Sequence, residues 1–475
     1  MLSLSPDIKK LYIGSVALIL AAAFIAIGAP AYSVLAIPLA IFLIAIFLVS
    51  LESAYYLVAF CTPFSIKYML GSSGVNLPDE PLMIVFLGLF LLKLFKDFDN
   101  FRAVLKHPIT VLILLNLSWV FITSITSTLP VISFKFLLAR LWTVVFGFFW
   151  GTLIFRKQKN IQSFFIAFGL GLCLVIIYTT INHHATGFTQ QRSMLVMKPL
   201  MDDHTVYSAV CSIVFLYALA MLTFKNNKLS AAHKVLLCVF VLFCAIGIGL
   251  SYSRAAVLSL FFVLGFTLLL KLRIKFKTLL IGFLTIMALA LIFASQIYQT
   301  VKFNNAVSGK NIATDIRSIS NVRTDESNVE RINRWESGYR MFLERPVLGF
   351  GPGTYSFQYS PYQRAGEMTS ISSTHGTMGE MHSEYFGPLV ESGVLGLLII
   401  LALFFTYIST LMRLYYLTLS PQIRMLSLAI LLAMLSYFFH GLLNNFLDQD
   451  KIAVVFWAMM GMAVALDLEN RLLQG

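Results

Sequence analysis

His382 lies in Met381-His382-Ser383-Glu384-Tyr385-Phe386-Gly387-Pro388-Leu389-Val390-Glu391, where a long polar segment meets an apolar run. An imidazole placed there is wet enough to titrate, and its ordinary pKa suits a general base near about pH 7. Glu384 and Glu391 follow closely enough for either carboxylate to orient the ring. The plainer alternative is a histidine that caps a helix or bonds a backbone carbonyl. His375 is the nearest rival, but Gly376 and Gly379 give it a flexible setting, poor for preorganised catalysis.

Cations complete the set. Arg254 sits in Ser251-Tyr252-Ser253-Arg254, between two apolar runs only a few residues apart, so its position is tightly fixed. It either snorkels to an interface or holds phosphate oxygens with its planar fork. Arg331 falls one turn before Trp335 and is expected to point inward, whereas Arg334 reads as a solvated surface charge. Lys198 and His204 either line a polar cavity or are incidental, and Asp203 and Thr205 fit helix caps. Arg140 lies inside an apolar run and needs a partner or a pore. His183-His184 and Asp202-Asp203-His204 have no zinc or calcium spacing. A phosphate-binding glycine loop, a GxSxG elbow and a dinucleotide fingerprint are all missing from the sequence.

These residues are set in a chain of 475 that is 58% hydrophobic and 12% charged, with a mean hydropathy of +0.82. Soluble domains carry roughly 25% charged residues, so the chain reads as a polytopic membrane protein. The expected fold class is all-α, a transmembrane bundle of about 12–14 spans with one large outer loop that contains helices. Fourteen apolar segments lie near 11–28, 33–50, 55–66, 81–96, 110–128, 136–155, 162–181, 205–224, 234–251, 255–270, 278–296, 392–412, 425–443 and 452–468. The first is longer than a signal-peptide core of ~7–15 residues and reads as a retained helix. The third is short, and either re-enters the bilayer or extends back through Ser50–Ala54. The expected division is 1–297 for the first helices, 298–391 for the outer loop and histidine motif, and 392–475 for the last helices.

Charge fixes the expected orientation. With the N-terminus inside, 19 of the 35 Lys and Arg fall on inner segments, seven on short outer ones and nine in the long loop. The net charge of +13 is thus a topology signal rather than a nucleic-acid patch. The five cysteines all lie in apolar runs, so no disulfide framework is implied. Within the loop, Ser327-Asn328-Val329-Glu330 fits a capping box. Val329, Ile332, Trp335, Tyr339 and Phe342 then recur at helical spacing, predicting a helix over 328–344 that packs on the bundle. Pro346, Gly349, Gly351 and Gly353 end it, and the segment through Ser373 reads as an irregular lid.

Three ordered pieces together resemble the O-antigen ligase and O-antigen polymerase superfamily. Ser251-Tyr252-Ser253-Arg254-Ala255 is similar to its Ser-x-Ser-Arg element. Arg331 to Trp335, continuing to Arg345-Pro346-Val347-Leu348-Gly349-Phe350-Gly351, is similar to its loop helix and Pro-x-x-Gly-x-Gly turn. His382-Ser383-Glu384-Tyr385 through Glu391-Ser392-Gly393-Val394-Leu395-Gly396 is similar to its histidine element, with Ser383 where Asn is frequent and Phe386 where Leu is frequent. The resemblance covers roughly 180–450 and implies a metal-independent, cofactor-free inverting glycosyltransferase in the bacterial inner membrane. Arg254 and Arg331 would grip the diphosphate of an undecaprenyl-diphosphate-linked glycan, and His382 would be the base. Lys198, His204, Arg140, Arg334, Glu384 and Glu391 would support the cavity. The acceptor would be lipid A–core for a ligase, or another lipid-linked glycan for a polymerase; membrane lipids are the other partners. A lipid-linked oligosaccharide transporter is the rival from another class, and a transferase to protein acceptors is a third reading.

Overall fold

The computed structural model describes residues 50–70, 73–225, 227–293, 326–364 and 379–474, with Ile46 and Gln296 as isolated positions. The expected span at 11–28, nearly all of that at 33–50, His375 and most of the expected lid lie outside these residues.

Helix α1 (Leu51–Cys61) starts where Ser50 caps the amide of Ser53 and is only 11 residues long. The third apolar segment therefore starts as a helix at Leu51, directly after Ser50, and is followed by an antiparallel hairpin, β1 (Ile66–Leu70) and β2 (Ser73–Leu77), which the sequence reading did not anticipate. Beyond it come α2 (Asp79–Lys96), α3 (Phe98–Leu105), α4 (Pro108–Ile125), α5 (Pro130–Ile154), α6 (Lys159–Ala185) and α7 (His204–Thr223). They are followed by α8 (Ala231–Ser251), α9 (Arg254–Lys271) and α10 (Phe276–Ile292). The outer helix α11 (Glu326–Glu344) precedes α12 (Phe386–Leu417), α13 (Pro421–His440) and α14 (Asp450–Gln474).

The boundaries follow local chemistry. Pro108, Pro130 and Pro421 open their helices, where a missing amide proton costs nothing. Ser230, Ser253 and Ser420 accept the amides that α8, α9 and α13 leave unpaired. Among the described residues, nine helices are long and apolar enough to cross a membrane: α4 to α9 and α12 to α14. The protein is an all-α polytopic bundle. Helices α13 and α14 are buried on nearly every side and form its centre, while α8, α9 and α10 turn apolar faces outward.

Helix contacts are close wherever glycine allows. A Cβ at Gly171 of α6 would lie 2.1 Å from the Phe60 carbonyl oxygen, whereas one at Gly265 of α9 meets nothing within 4 Å. Gly171→Ala should therefore lower the thermal unfolding midpoint in detergent, by the ~1–3 kcal/mol typical of overpacking. Gly265→Ala should leave it unchanged or raise it slightly, by up to ~1 kcal/mol from helix propensity. Equal responses, read by intrinsic fluorescence, would overturn this packing account.

Candidate active site

The arm that carries His382 is held by a carboxylate. Glu384 is buried, and its Oε1 accepts from the Tyr437 hydroxyl at 2.5 Å, the Phe446 amide at 2.5 Å and the Leu447 amide at 2.8 Å. Its own amide donates to the Gly441 carbonyl at 2.8 Å. Two residues earlier, the His382 amide donates to Asn445 Oδ1 at 3.1 Å. The arm is thus stitched to the connection between α13 and α14, a segment the sequence reading passed over. The run Asn444-Asn445-Phe446-Leu447-Asp448-Gln449-Asp450-Lys451 was the available signal: a short connector dense in polar side chains between two apolar runs. His382 itself has φ 54°, the left-handed region that a side chain enters only when its surroundings hold it there.

Helix α11 leans over this arm. It is described from Glu326, and Glu330 on its second turn accepts from Arg334. Trp335 stacks on Phe386 with ring centroids 5.8 Å apart and planes within 8°. Arg331 donates from Nε to the Leu443 carbonyl at 3.3 Å, reaching the same connector. Arg334 is not a solvated surface charge. It is 4% exposed, donates from Nε to Glu330 Oε1 at 2.7 Å and lies 4.0 Å over the Tyr359 ring. An aromatic face and an i,i+4 carboxylate together make that burial tolerable. Burial, then the charges of Arg331 and Arg334, push the His382 imidazole down from 6.5 to about 4, against the opposing pull of Asp203 and Glu330. Burial likewise pushes the Glu384 carboxyl above its ordinary value, with Asp448 adding to it.

The glycine turn explains the break in α12. Gly393 is non-helical (φ 70°, ψ −173°), and a Cβ there would meet the Val347 carbonyl oxygen at 2.0 Å. The break leaves carbonyls without helical donors, and the turn supplies them. Phe350 and Gly351 amides donate to Val390 and Glu391 oxygens at 3.1 and 2.9 Å, and Trp119 Nε1 donates to the Ser392 oxygen at 2.7 Å. The Glu391 carboxylate returns the contact, accepting the Gly353 amide at 2.9 Å and the Tyr355 amide at 3.0 Å. Neither carboxylate therefore orients the imidazole: Glu384 and Glu391 are both spent on backbone amides. Part of the expected irregular segment is folded too, with helical turns at Tyr355–Gln358 and Ser360–Tyr362.

Residues 239–401, about a third of the chain, match a family model described as O-antigen ligase. This segment is similar to that family, in agreement with the resemblance carried by its motifs. No curated protein matches the chain significantly. The match takes in Arg254, α11, the glycine turn and His382, and stops short of the connector at 441–449 that anchors them.

The remaining residues named from the O-antigen ligase resemblance are placed as follows. Arg254 opens α9, half-buried, directly after Ser253, whose hydroxyl caps the Ala256 amide. The preceding Tyr252 is left-handed and donates to the Phe188 carbonyl at 2.7 Å, tying this turn to the connection between α6 and α7. Asp203 caps α7 through the amides of Thr205 and Val206 at 2.6 and 3.0 Å. His204 is half-buried with Asp203 and Arg331 as its charged neighbours, and its Nδ1 makes no hydrogen bond. Lys198 is exposed. Arg140 finds its partner in Asp448 at 2.9 Å, with the Phe136 ring 5.0 Å from its guanidinium carbon. Arg331, Arg334, Asp203, His204 and His382 are thus brought together, while Lys198 stands apart on the surface.

Glu384→Ala would strand three donors, two of them backbone amides, at ~1–3 kcal/mol each. The expected outcome is a lower unfolding midpoint and faster hydrogen exchange at Phe446 and Leu447. Unchanged protection of those two amides would show that the connector is held by something else.

Proposed function

We propose that the protein is a bacterial inner-membrane glycosyltransferase that moves a glycan from undecaprenyl diphosphate to an acceptor hydroxyl at the periplasmic face. The supporting observation is His382: its backbone fixed by Asn445, its ring shielded and flanked by Arg331 and Arg334. The base takes the acceptor O–H proton as that oxygen bonds to the anomeric carbon. The carbon–oxygen bond to the diphosphate breaks with inversion, and its electron pair leaves on the diphosphate. Arg254 and Arg331 are the cations assigned to that growing charge, where fixed positive groups are worth most.

This arrangement also regulates the base. Without donor, burial and two guanidiniums together keep the imidazole a weak base. A bound diphosphate would offset that positive field and raise the basicity of His382 when a proton must be taken. Water then meets a poor base until the donor is in place. A ligase acting on lipid A–core is the reading we put first, given the moderate loop and the single strong histidine motif. A polymerase extending a lipid-linked glycan is second. The assigned residues gather at one end of the bundle, whereas a transporter needs polar residues through both halves.

Two tests follow. In a null strain, wild type should restore the lipopolysaccharide ladder, and His382→Ala, Arg254→Ala and Arg331→Ala at matched membrane levels should not. Loss of the ladder with accumulation of lipid-linked polymer means ligase; a single capped repeat means polymerase; an intact ladder in all three variants overturns the assignment. With purified protein, kcat/KM, which reports the free enzyme, should stay flat on acidification through 6.5 and fall only toward about 4, where His382 protonates. Arg331→Gln should move that acid limb upward, toward the ordinary histidine value. A wild-type limb centred at 6.5 would refute the shielded-base reading.

A further inference from the structure

The end of the bundle opposite His382 is organised around one buried carboxylate. Past its break at Gly393, helix α12 runs away from the histidine arm to Leu417, about 36 Å along its axis at ~1.5 Å per residue. There Arg413 Nη2 donates to Asp467 Oδ1 at 2.6 Å, and Arg471 donates to Asp467 Oδ2 from Nη2 at 2.7 Å and from Nε at 3.1 Å. His107 Nε2 lies 3.2 Å from the same oxygen. Thr418 extends the network: its carbonyl accepts Arg424 Nη2 at 2.6 Å, and its hydroxyl donates to Asn470 Oδ1 at 2.6 Å. Tyr416 draws in the turn after α9 by donating to the Leu270 carbonyl at 3.0 Å, which also accepts the amide of Arg273. One carboxylate, Asp467, therefore faces two guanidiniums, with Arg424 and Arg273 on the adjoining turns.

The same turns expose large apolar side chains. Leu419 is 86% exposed, Leu472 83% and Leu272 72%, each on a turn that also presents an arginine. Bulk water disfavours the leucines, and hydrocarbon disfavours the arginines. Only a boundary between acyl chains and headgroups suits both. Two of the Asp467-bound guanidiniums remain 44% and 53% exposed, so their other N–H groups face outward. A planar fork held by a carboxylate on one edge presents its free edge to a phosphate.

We propose that Arg273, Arg413, Arg424 and Arg471 form a binding site for the phosphodiester headgroup of an anionic phospholipid, whose acyl chains lie against Leu272, Leu419 and Leu472. The site is independent of the glycan-transfer reading. Its place at the junction of α9, α12, α13 and α14 lets one lipid brace the central helices against the peripheral ones.

The full-length protein in detergent, offered phosphatidylglycerol or phosphatidylcholine, is examined by native mass spectrometry for retained lipid. Wild type should retain phosphatidylglycerol preferentially. Arg273→Gln and Arg424→Gln spare the bonds to Asp467, so the bundle should still fold, and each should cut that retention about fivefold. Lys157→Gln should not, since Lys157 lies at the same end but is exposed and paired with Glu52. Equal retention of the two lipids, or undiminished phosphatidylglycerol in both arginine variants, overturns the proposal. So does inorganic phosphate that binds the delipidated protein and is not displaced by phosphatidylglycerol, which would make this a simple anion site.

Discussion

Burying a carboxylate among helices is costly unless its lone pairs are filled, and at Glu384 they are filled by the chain that follows it. A single oxygen collects the Tyr437 hydroxyl and two successive amides of the α13–α14 connector. Two of the residues proposed for the chemistry, His382 and Arg331, are referenced to that point. His382 takes its backbone position from Asn445, one residue before the first of those amides, and Arg331 reaches a carbonyl three residues before it. Base and cation thus share one short segment of backbone as a frame, which limits how far they drift relative to each other. Preorganisation of this kind comes from geometry fixed in advance rather than from contacts formed with substrate.

Electrostatically the molecule has two distinct ends. Around His382, burial first and the arginines second lower the basicity of the imidazole proposed as the base. At the far end, arginines converge on a carboxylate too small to balance them. The same residue type serves opposite purposes because its surroundings differ: an aromatic face and shielding at Arg334, free guanidinium edges at Arg413 and Arg471.

Much of this was legible in the amino-acid sequence. Uninterrupted apolar length revealed the helices, because helix length needs only composition to be read. The helix around Trp335 and the Gly349-Phe350-Gly351 turn were legible for the same reason, being local patterns. What stayed hidden was long-range. The i,i+2 and i,i+9 spacing of Glu384 and Glu391 from His382 suggested carboxylates orienting an imidazole, and nothing local could show that backbone amides from elsewhere had claimed both. Arg334 looked like a surface charge because the ring that covers it, Tyr359, lies 25 residues on, past two prolines and four glycines. The hairpin at 66–77 escaped for a different reason: residues 67–80 fall between two apolar runs and read only as a short connection.

The Gly393 break carries a consequence for how the molecule is made. Residues 346–353 are synthesised before residues 390–394, yet three of their backbone bonds, through Pro346, Phe350 and Gly351, are to that later stretch. The outer lobe therefore cannot close until α12 has emerged and lodged beside Trp119. His382 waits longer still, since its anchors emerge only with residues 437–447. A ribosome-bound intermediate holds every motif of the matched segment without the frame that aligns them, so the chemistry is withheld until the last pair of helices has been threaded into place.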